Sequence, residues 1–368
     1  MIMFESRNRL FKHLSLSCCG VNEDKEVCGP VGVAKQEGKR GREEDEEDDL
    51  SIFDLFIIGG RNRGKTLRTC EKLDLSKRKE EQEWVRLSAY LINSRGSHGA
   101  TVVGKKIYII GGGGIKSNLG SLEVLDTSDI QASWKTLAPM NVSRHALSAV
   151  SLKNEFIFAI GGTTSGNSGY INSQWAPPEE GGSNCCNVVE MYDVRKDEWF
   201  LKAPLRYARR LHGSCVCNDK IYVFGGCCND LVWSTDKAEV YDPTIDAWED
   251  LPSMPFAGEA SAVSTIDSFI FLLIHGKGLW LFDPVEESYK SLGALPIIDW
   301  HCFSITAVKH TIFVCGGMEE GRVCQATYSF NTMNLDRSTP NGNVAIRWKR
   351  ETNLPHPYRR SSLVCVER

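Results

Sequence analysis

The stretch "DKIYVFGGCCND", Asp219–Asp230, decides the fold. Four apolar residues, Ile221–Phe224, run into two glycines and then two cysteines. A strand that is apolar at every position is covered on both faces. A glycine pair at its end marks a sharp turn in crowded surroundings, because glycine tolerates positive φ and close backbone approach. The pattern recurs. "LFIIGG" ends at Gly60, "KIYIIGG" at Gly112, "FIFAIGG" at Gly162 and "TIFVCGG" at Gly317, with a degraded copy, "FIFLLIHG", ending at Gly276. Six copies at intervals of about 40 to 65 residues predict a propeller of repeated units.

Two further markers keep step with the glycines. An apolar-Asp unit follows each pair: "EKLD" at Asp74, "EVLD" at Asp126, "EMYD" at Asp193, "EVYD" at Asp242, "WLFD" at Asp283 and the variant "YSFN" at Asn331. An aromatic residue comes next: Trp84, Trp134, Trp199, Trp248, Tyr289 and Trp348. Each unit reads as four strands, and radially packed four-stranded blades supply the two-sided cover that the apolar runs require. The repeated Trp is read as packing between blades. Blade one starts at its second strand, and "RRSSLVCV", Arg359–Val366, looks like a first strand with nothing after it, so the C-terminal strand is expected to complete blade one and close the ring.

The double glycine, the Tyr-Asp pair and the spaced Trp resemble the kelch repeat, from Ile52 to Val366. The fold expected is all-β: a six-bladed kelch-type β-propeller over Ser51–Arg368, behind a disordered acidic tail, Met1–Leu50. The tail holds 8 Lys/Arg against 12 Asp/Glu, whereas the rest of the chain is balanced at 35 of each. Its charge block "EGKRGREEDEEDDL" cannot bury enough surface to offset the cost of ordering. "RNRLFKHLSL", Arg7–Leu16, is an alternative short amphipathic helix.

Composition narrows the function. A charge-balanced body with no basic stripe argues against nucleic acid. The longest apolar run, Phe269–Ile274, is far too short for a bilayer. Charges at Glu5, Arg7, Arg9 and Lys12 stand where a secretory signal needs an apolar core, with a transit peptide as the alternative. The 14 cysteines are then read as reduced thiols. The expected location is cytoplasmic, nuclear or both, with "KRGR", Lys39–Arg42, as a weak import candidate. No paired CxxC, HExxH, phosphate-binding glycine loop or nucleophile elbow occurs, so no catalytic residue, cofactor or metal is assigned and the chain is read as non-enzymatic. An enzyme whose site assembles from separate loops, possibly around a metal, is kept as an alternative.

The kelch resemblance implies a binding face at the connections that lead into each blade's first strand. Basic residues sit there: Arg95, Arg144, Arg209, Arg210 and Arg360, with Glu259 and Trp300-His301 breaking the ring. Arginine's planar fork suits carboxylate or phosphate, so a protein or peptide partner, acidic and aromatic-containing, is expected. The competing reading is that these arginines cap loops and pair with local acids. His98 and His212 are read as packed near the channel. The long insertion Thr163–Asn187 offers Tyr170 and Trp175 as contact residues or is a tolerated excursion. Cys185-Cys186 and Cys227-Cys228 lie in corresponding connections of adjacent blades and are read as spare thiols, with zinc binding or oxidation as the alternative. A recognition adaptor is thus expected. Membership of a ubiquitin ligase is left open, because neither an F-box nor a BTB domain is read in Met1–Leu50. Oligomeric state is not read.

Overall fold

The computed structural model describes residues 49–114, 117–129, 131–164, 185–227, 234–258, 260–297, 300–333, 335 and 346–368. Nearly all of the expected tail lies outside them, as do Tyr170, Trp175, Cys228 and Glu259. No α-helix occurs among the described residues, and the one helical turn is a 3-10 turn at Lys79–Glu81. Six four-stranded antiparallel sheets account for the body. Blade two shows the plan: Gly99–Val103 innermost, then Lys106–Ile110, Leu122–Asp126 and Lys135–Leu137. In blade one the innermost strand is Ser362–Glu367, paired with Phe53–Ile58 in the register Phe53↔Glu367 to Ile58↔Ser362. The C-terminal strand therefore closes the ring.

The apolar runs are explained by six cores, one at each blade–blade boundary. Successive side chains of a strand point to opposite faces. Ile107 and Ile109 of blade two accordingly pack toward blade one, while Tyr108 and Ile110 pack toward blade three. Five of the six repeated aromatics add a bond between blades, while the Trp134 indole nitrogen is buried without a partner. The indole nitrogens of Trp84, Trp199, Trp248 and Trp348 donate to the carbonyls of Thr352, Ala138, Ala203 and Ala294 in the preceding blade, at 3.3, 2.7, 2.8 and 3.2 Å. Tyr289 replaces Trp without loss, its hydroxyl donating to the Pro252 carbonyl at 2.8 Å.

The Asp marker is a turn device. A side-chain oxygen of Asp74, Asp126, Asp193, Asp242 and Asp283 accepts the N–H two residues on. Asn331 does the same for Met333 at 2.8 Å, so the odd copy keeps the function.

Both members of each glycine pair adopt positive φ, as at Gly111 (+60°) and Gly112 (+103°). A Cβ on Gly111 would lie 2.6 Å from the Arg144 carbonyl oxygen. The reading of His275-Gly276 as the blade-five pair is corrected. Asn218–Asp219 and Asp267–Ser268 form equivalent turns with positive φ. Counting from those turns, Ile274 and His275 hold the glycine positions. The strand there runs on to a tight hairpin, with Ile274 opposite Gly278.

Candidate functional site

The second strand of each blade runs toward the face on which the glycine turns and the connections into the next blade meet. Four successive positions of those connections build that face. The first, here the lead residue, is Arg95, Arg144, Arg209, Gly258, Trp300 or Tyr358. Its carbonyl accepts the N–H of the previous blade's second glycine in five cases: Gly60 to Arg95, Gly112 to Arg144, Gly162 to Arg209, Gly226 to Gly258 and Gly317 to Tyr358.

The expectation that Arg95, Arg144 and Arg209 ring the mouth is corrected. All three are fully buried. Each guanidinium turns inward to a glutamate of its own blade: Arg95 to Glu123, Arg144 to Glu190 and Arg209 to Glu239, the last at 2.6 Å. Further N–H groups are directed at carbonyls, Gly111 for Arg95, Ala159 for Arg144, and Gly225 and Lys237 for Arg209. The glutamates in turn accept N–H groups of the connection, from Ile92 and Asn93, from Asn141 and Val142, and from Arg206. A buried charge needs both a partner and hydrogen bonds, and each pair has both, with only the Arg144 Nε buried without a partner. Burial pushes the Arg95 guanidinium down and the Glu239 carboxyl up, and in each case the partner pulls it back. These arginines fasten the connection to the blade and offer nothing to a ligand.

Trp300 is corrected on the same ground. It is fully buried, donates to the Gly316 carbonyl at 2.6 Å and packs edge-on against Tyr328 at 5.8 Å. Tyr328 stands where the other blades carry the glutamate, three residues before the turn Asp or Asn. In blade five Trp280 holds that position and packs against Phe256 at 5.1 Å. Gly258 leaves out the lead side chain there, since a Cβ would lie 2.7 Å from Ile274 Cγ2. Blade one is intermediate. Tyr358 is its lead residue, and Glu71 pairs with the half-exposed Arg86 at 2.8 Å. Burial and then Glu71 push the Tyr358 phenol up.

Of the residues after the lead residue, Arg359, His145, Arg210 and His301 reach the surface and Gly96 is buried. Arg359, Gly96, His145, Arg210 and His301 pair with the residue just past their own blade's glycines: Arg61, Gly113, Thr163, Cys227 and Met318. The third position forms a collar. Cys302, Arg360, Ser97, Ala146 and Leu211 all have φ between 53° and 56°. Their N–H groups run blade to blade: Arg360 to Cys302 O (3.0 Å), Ser97 to Arg360 O (2.9 Å), Ala146 to Ser97 O (2.7 Å) and Leu211 to Ala146 O (2.9 Å). Below the collar lies a cavity of about 120 Å³ lined in part by His98, Leu147, His212, Phe303 and Arg360. Burial, then the adjoining Arg95 or Arg209, pushes His98 and His212 down to about 3. His212 Nε2 lies 2.8 Å from Ser148 Oγ, whereas both ring nitrogens of His98 are buried without a hydrogen-bond partner.

Arg210 and Arg360 are thus the predicted residues that the mouth presents, half-buried and exposed respectively. Arg61 and Arg359 join them. No ion pair ties Arg61, Arg359 or Arg360 to a carboxylate among the described residues, and the Nε atoms of Arg61 and Arg359 are buried without a partner. Burial, then Arg360 and Arg359, push Arg61 down. Burial, then Arg360, Arg61 and Arg210, push His145 down to about 4. Arg61 was missed because it follows the glycines rather than leading a strand, although "GGRNRG" shows it directly after the pair.

The Cys185 thiol lies 3.6 Å from the Cys227 carbonyl, so the two cysteine-bearing connections touch. Cys185, Cys186 and Cys227 are buried. No three His, Cys, Asp or Glu side chains gather at metal-binding distance among the described residues.

Comparison with known proteins agrees with this architecture. The Kelch motif model matches residues 94–141 and 208–255. Kelch-like protein 15 of Danio rerio is 27% identical over 57% of this chain and 36% of its own. Kelch-like protein 23 of Homo sapiens is 26% identical over 77% of this chain and 46% of its own. Beta-scruin of Limulus polyphemus is 28% identical over 60% of this chain and 23% of its own. The chain thus spans less than half the length of these curated relatives. Among solved structures, that of YjhT superposes with a TM-score of 0.59 at 14% identity, covering 75% of this chain and 88% of that one, which speaks to the fold alone. The molecule is a six-bladed propeller of the kind used as a protein-interaction module. Its repeats are kelch repeats, matched by the motif model in two stretches and shared with the Kelch-like relatives.

Proposed function

We propose that the chain is a recognition adaptor that binds an acidic segment of a protein partner at the mouth formed by Arg61, Arg210, Arg359 and Arg360. The observation that carries this is the contrast among the arginines. Those at lead positions are internally neutralised, whereas Arg61, Arg359 and Arg360 converge on one face with no carboxylate paired to them among the described residues. Like charges held together disfavour each other, and an acidic ligand relieves that repulsion. Arginine adds a planar fork that grips carboxylates two bonds at a time.

The test is affinity capture with mass spectrometry, comparing the native chain with an Arg210→Ala/Arg360→Ala variant whose fold is checked by circular dichroism. Loss of specific partners in the variant supports the reading. An unchanged partner set refutes it and turns attention to the residues between 165 and 184. Cullin components among the mouth-dependent partners would make the adaptor a ubiquitin-ligase substrate receptor. A cytoplasmic or nuclear location is part of the same proposal and is checked by imaging the tagged chain.

A further inference from the structure

Within the mouth, blade two differs from its neighbours. Where blades one, three, four and six carry Arg359, His145, Arg210 and His301, blade two has Gly96. Where those blades carry Arg61, Thr163, Cys227 and Met318, it has Gly113. Neither glycine adopts positive φ, so backbone conformation does not demand glycine at either. Space does. A Cβ on Gly96 would lie 2.8 Å from Arg61 Cγ and 3.3 Å from its Nε, and a Cβ on Gly113 would lie 3.0 Å from an Arg61 Nη. The two glycines form a trough in which the Arg61 side chain lies, reaching from blade one across blade two. The same point above Gly113 is 3.9 Å from the ring of His145 in blade three.

The imidazole is also fixed. Asn118 Nδ2 donates to the Thr163 carbonyl at 3.2 Å, which leaves its Oδ1 to accept from His145 Nδ1 at 2.7 Å. His145 Nε2 is therefore the edge that faces a ligand, an acceptor in the neutral ring and a donor to an anion once the bound anion favours the protonated ring. The charges of Arg360, Arg61 and Arg210 all act on this imidazole. Cationic groups from blades one and four thus converge with an oriented histidine of blade three on one spot. One carboxylate carries a single negative charge and two oxygens. A phosphomonoester carries about −1.5 to −2 at neutral pH and three strong acceptor oxygens, a closer match to several forks at one point.

We propose that the patch bounded by Arg61, Arg210, Arg360 and His145 is a subsite for a phosphomonoester, borne on a phosphorylated serine or threonine side chain of the protein partner. This rests on the mouth being the binding face and names what that face reads. The subsite is built, because the Gly96–Gly113 trough sets where the Arg61 guanidinium ends.

The test is titration calorimetry on the full chain at fixed ionic strength and pH 7.5, with three probes: N-acetyl-phosphoserine methylamide, N-acetyl-glutamate methylamide and inorganic phosphate. Phosphoserine is expected to bind at least about tenfold tighter than glutamate, a preference lost in Arg61→Met. Gly113→Ala keeps every charge but displaces the guanidinium, and is expected to weaken phosphoserine by roughly threefold or more and glutamate by less. Equal binding of phosphoserine and glutamate overturns the proposal. So does an unaltered phosphoserine affinity in both variants with their fold intact. Inorganic phosphate binding as tightly as phosphoserine assigns the patch to the free anion and overturns its assignment to a modified side chain. If phosphoserine shows no preference yet partner capture is still lost in Arg210→Ala/Arg360→Ala, the phosphate subsite falls and the acidic-partner reading stands. If capture is unaffected as well, both fall.

Discussion

Blades two, three and four fasten their connections in one way, and blades five and six in another. The first three use a buried Arg–Glu pair: Arg95–Glu123, Arg144–Glu190 and Arg209–Glu239. Blade six places aromatic packing at the same positions, Trp300 with Tyr328, whereas blade five, whose lead residue is Gly258, packs Trp280 against Phe256 two residues before it. The two kinds of partner change together because either half alone is costly. An arginine facing tyrosine would be a buried unpaired charge, and a tryptophan facing glutamate would leave the carboxylate unpaired. The backbone bond persists where the lead side chain is lost: Gly112 bonds to the carbonyl of Arg144, and Gly226 bonds to that of Gly258. The ring therefore specifies where a connection sits and leaves open how its side chains hold it.

If the blades differ only in local fastening, the largest effects come from the ring itself. Removing the strand Ser362–Glu367 takes Leu363, Val364 and Val366 from two inter-blade cores and exposes the edge of Phe53–Ile58. Truncation after Arg360 is expected to abolish the cooperative unfolding transition in calorimetry. A retained transition would mean that the ring does not depend on closure. The next effect sharpens the contrast between fastenings. Glu190→Leu strands the Arg144 charge and is expected to cost about 3–5 kcal/mol in urea unfolding, whereas Arg144→Met/Glu190→Leu recovers most of that loss. A double variant as damaged as the single one would show that hydrogen bonds, not charge pairing, hold the connection. On the aromatic side, Trp300→Ala is expected to cost a similar 3–5 kcal/mol through lost packing.

Acidity probes a smaller difference. Blades two and four place His98 and His212 in the cavity where blade three has Leu147. Both histidines stay neutral in the fold down to about pH 3, while the unfolded chain protonates them near 6.5. The unfolded state thus binds more protons between those limits. Stability is complete above about pH 6.5 and falls as the pH drops, by up to about 1.4 kcal/mol per pH unit for each histidine. His98→Leu/His212→Leu, which copies blade three, is expected to flatten that slope in denaturation curves taken from pH 7 to 5. The smallest effect belongs to blade six: Asn331→Asp, which keeps the acceptor oxygen, is expected to change stability by less than about 0.5 kcal/mol.

Most of the architecture was legible because repetition multiplies weak signals. The glycine pair, the turn Asp and the interblade aromatic each recur in step, and their physical roles can be named from residue type. The C-terminal closure followed from an incomplete first unit. Blade five was misaligned by one position, because a hairpin of Ile274, His275, Gly276 and Lys277 contains a glycine that imitates the pair without its crowding. The site was harder to read. Arg209 and Arg210 are neighbours of the same type, yet one is fully buried and the other reaches the mouth. Nothing in composition separates them. The separating signal was the glutamate in "EVLD", "EMYD" and "EVYD", visible in the chain but read only as part of a strand. Arg61 escaped notice because its place is explained by two glycines in a neighbouring blade, a relation that only the folded backbone creates.

The central claim is that lead arginines hold the fold while mouth arginines are left for recognition. Parallel urea unfolding of Arg144→Met and Arg360→Met tests it most directly. The account predicts a loss of several kcal/mol for Arg144→Met, whose partner Glu190 stays buried, and a change within about 0.5 kcal/mol for the exposed Arg360→Met. Equal losses, or a greater loss at Arg360, would contradict it.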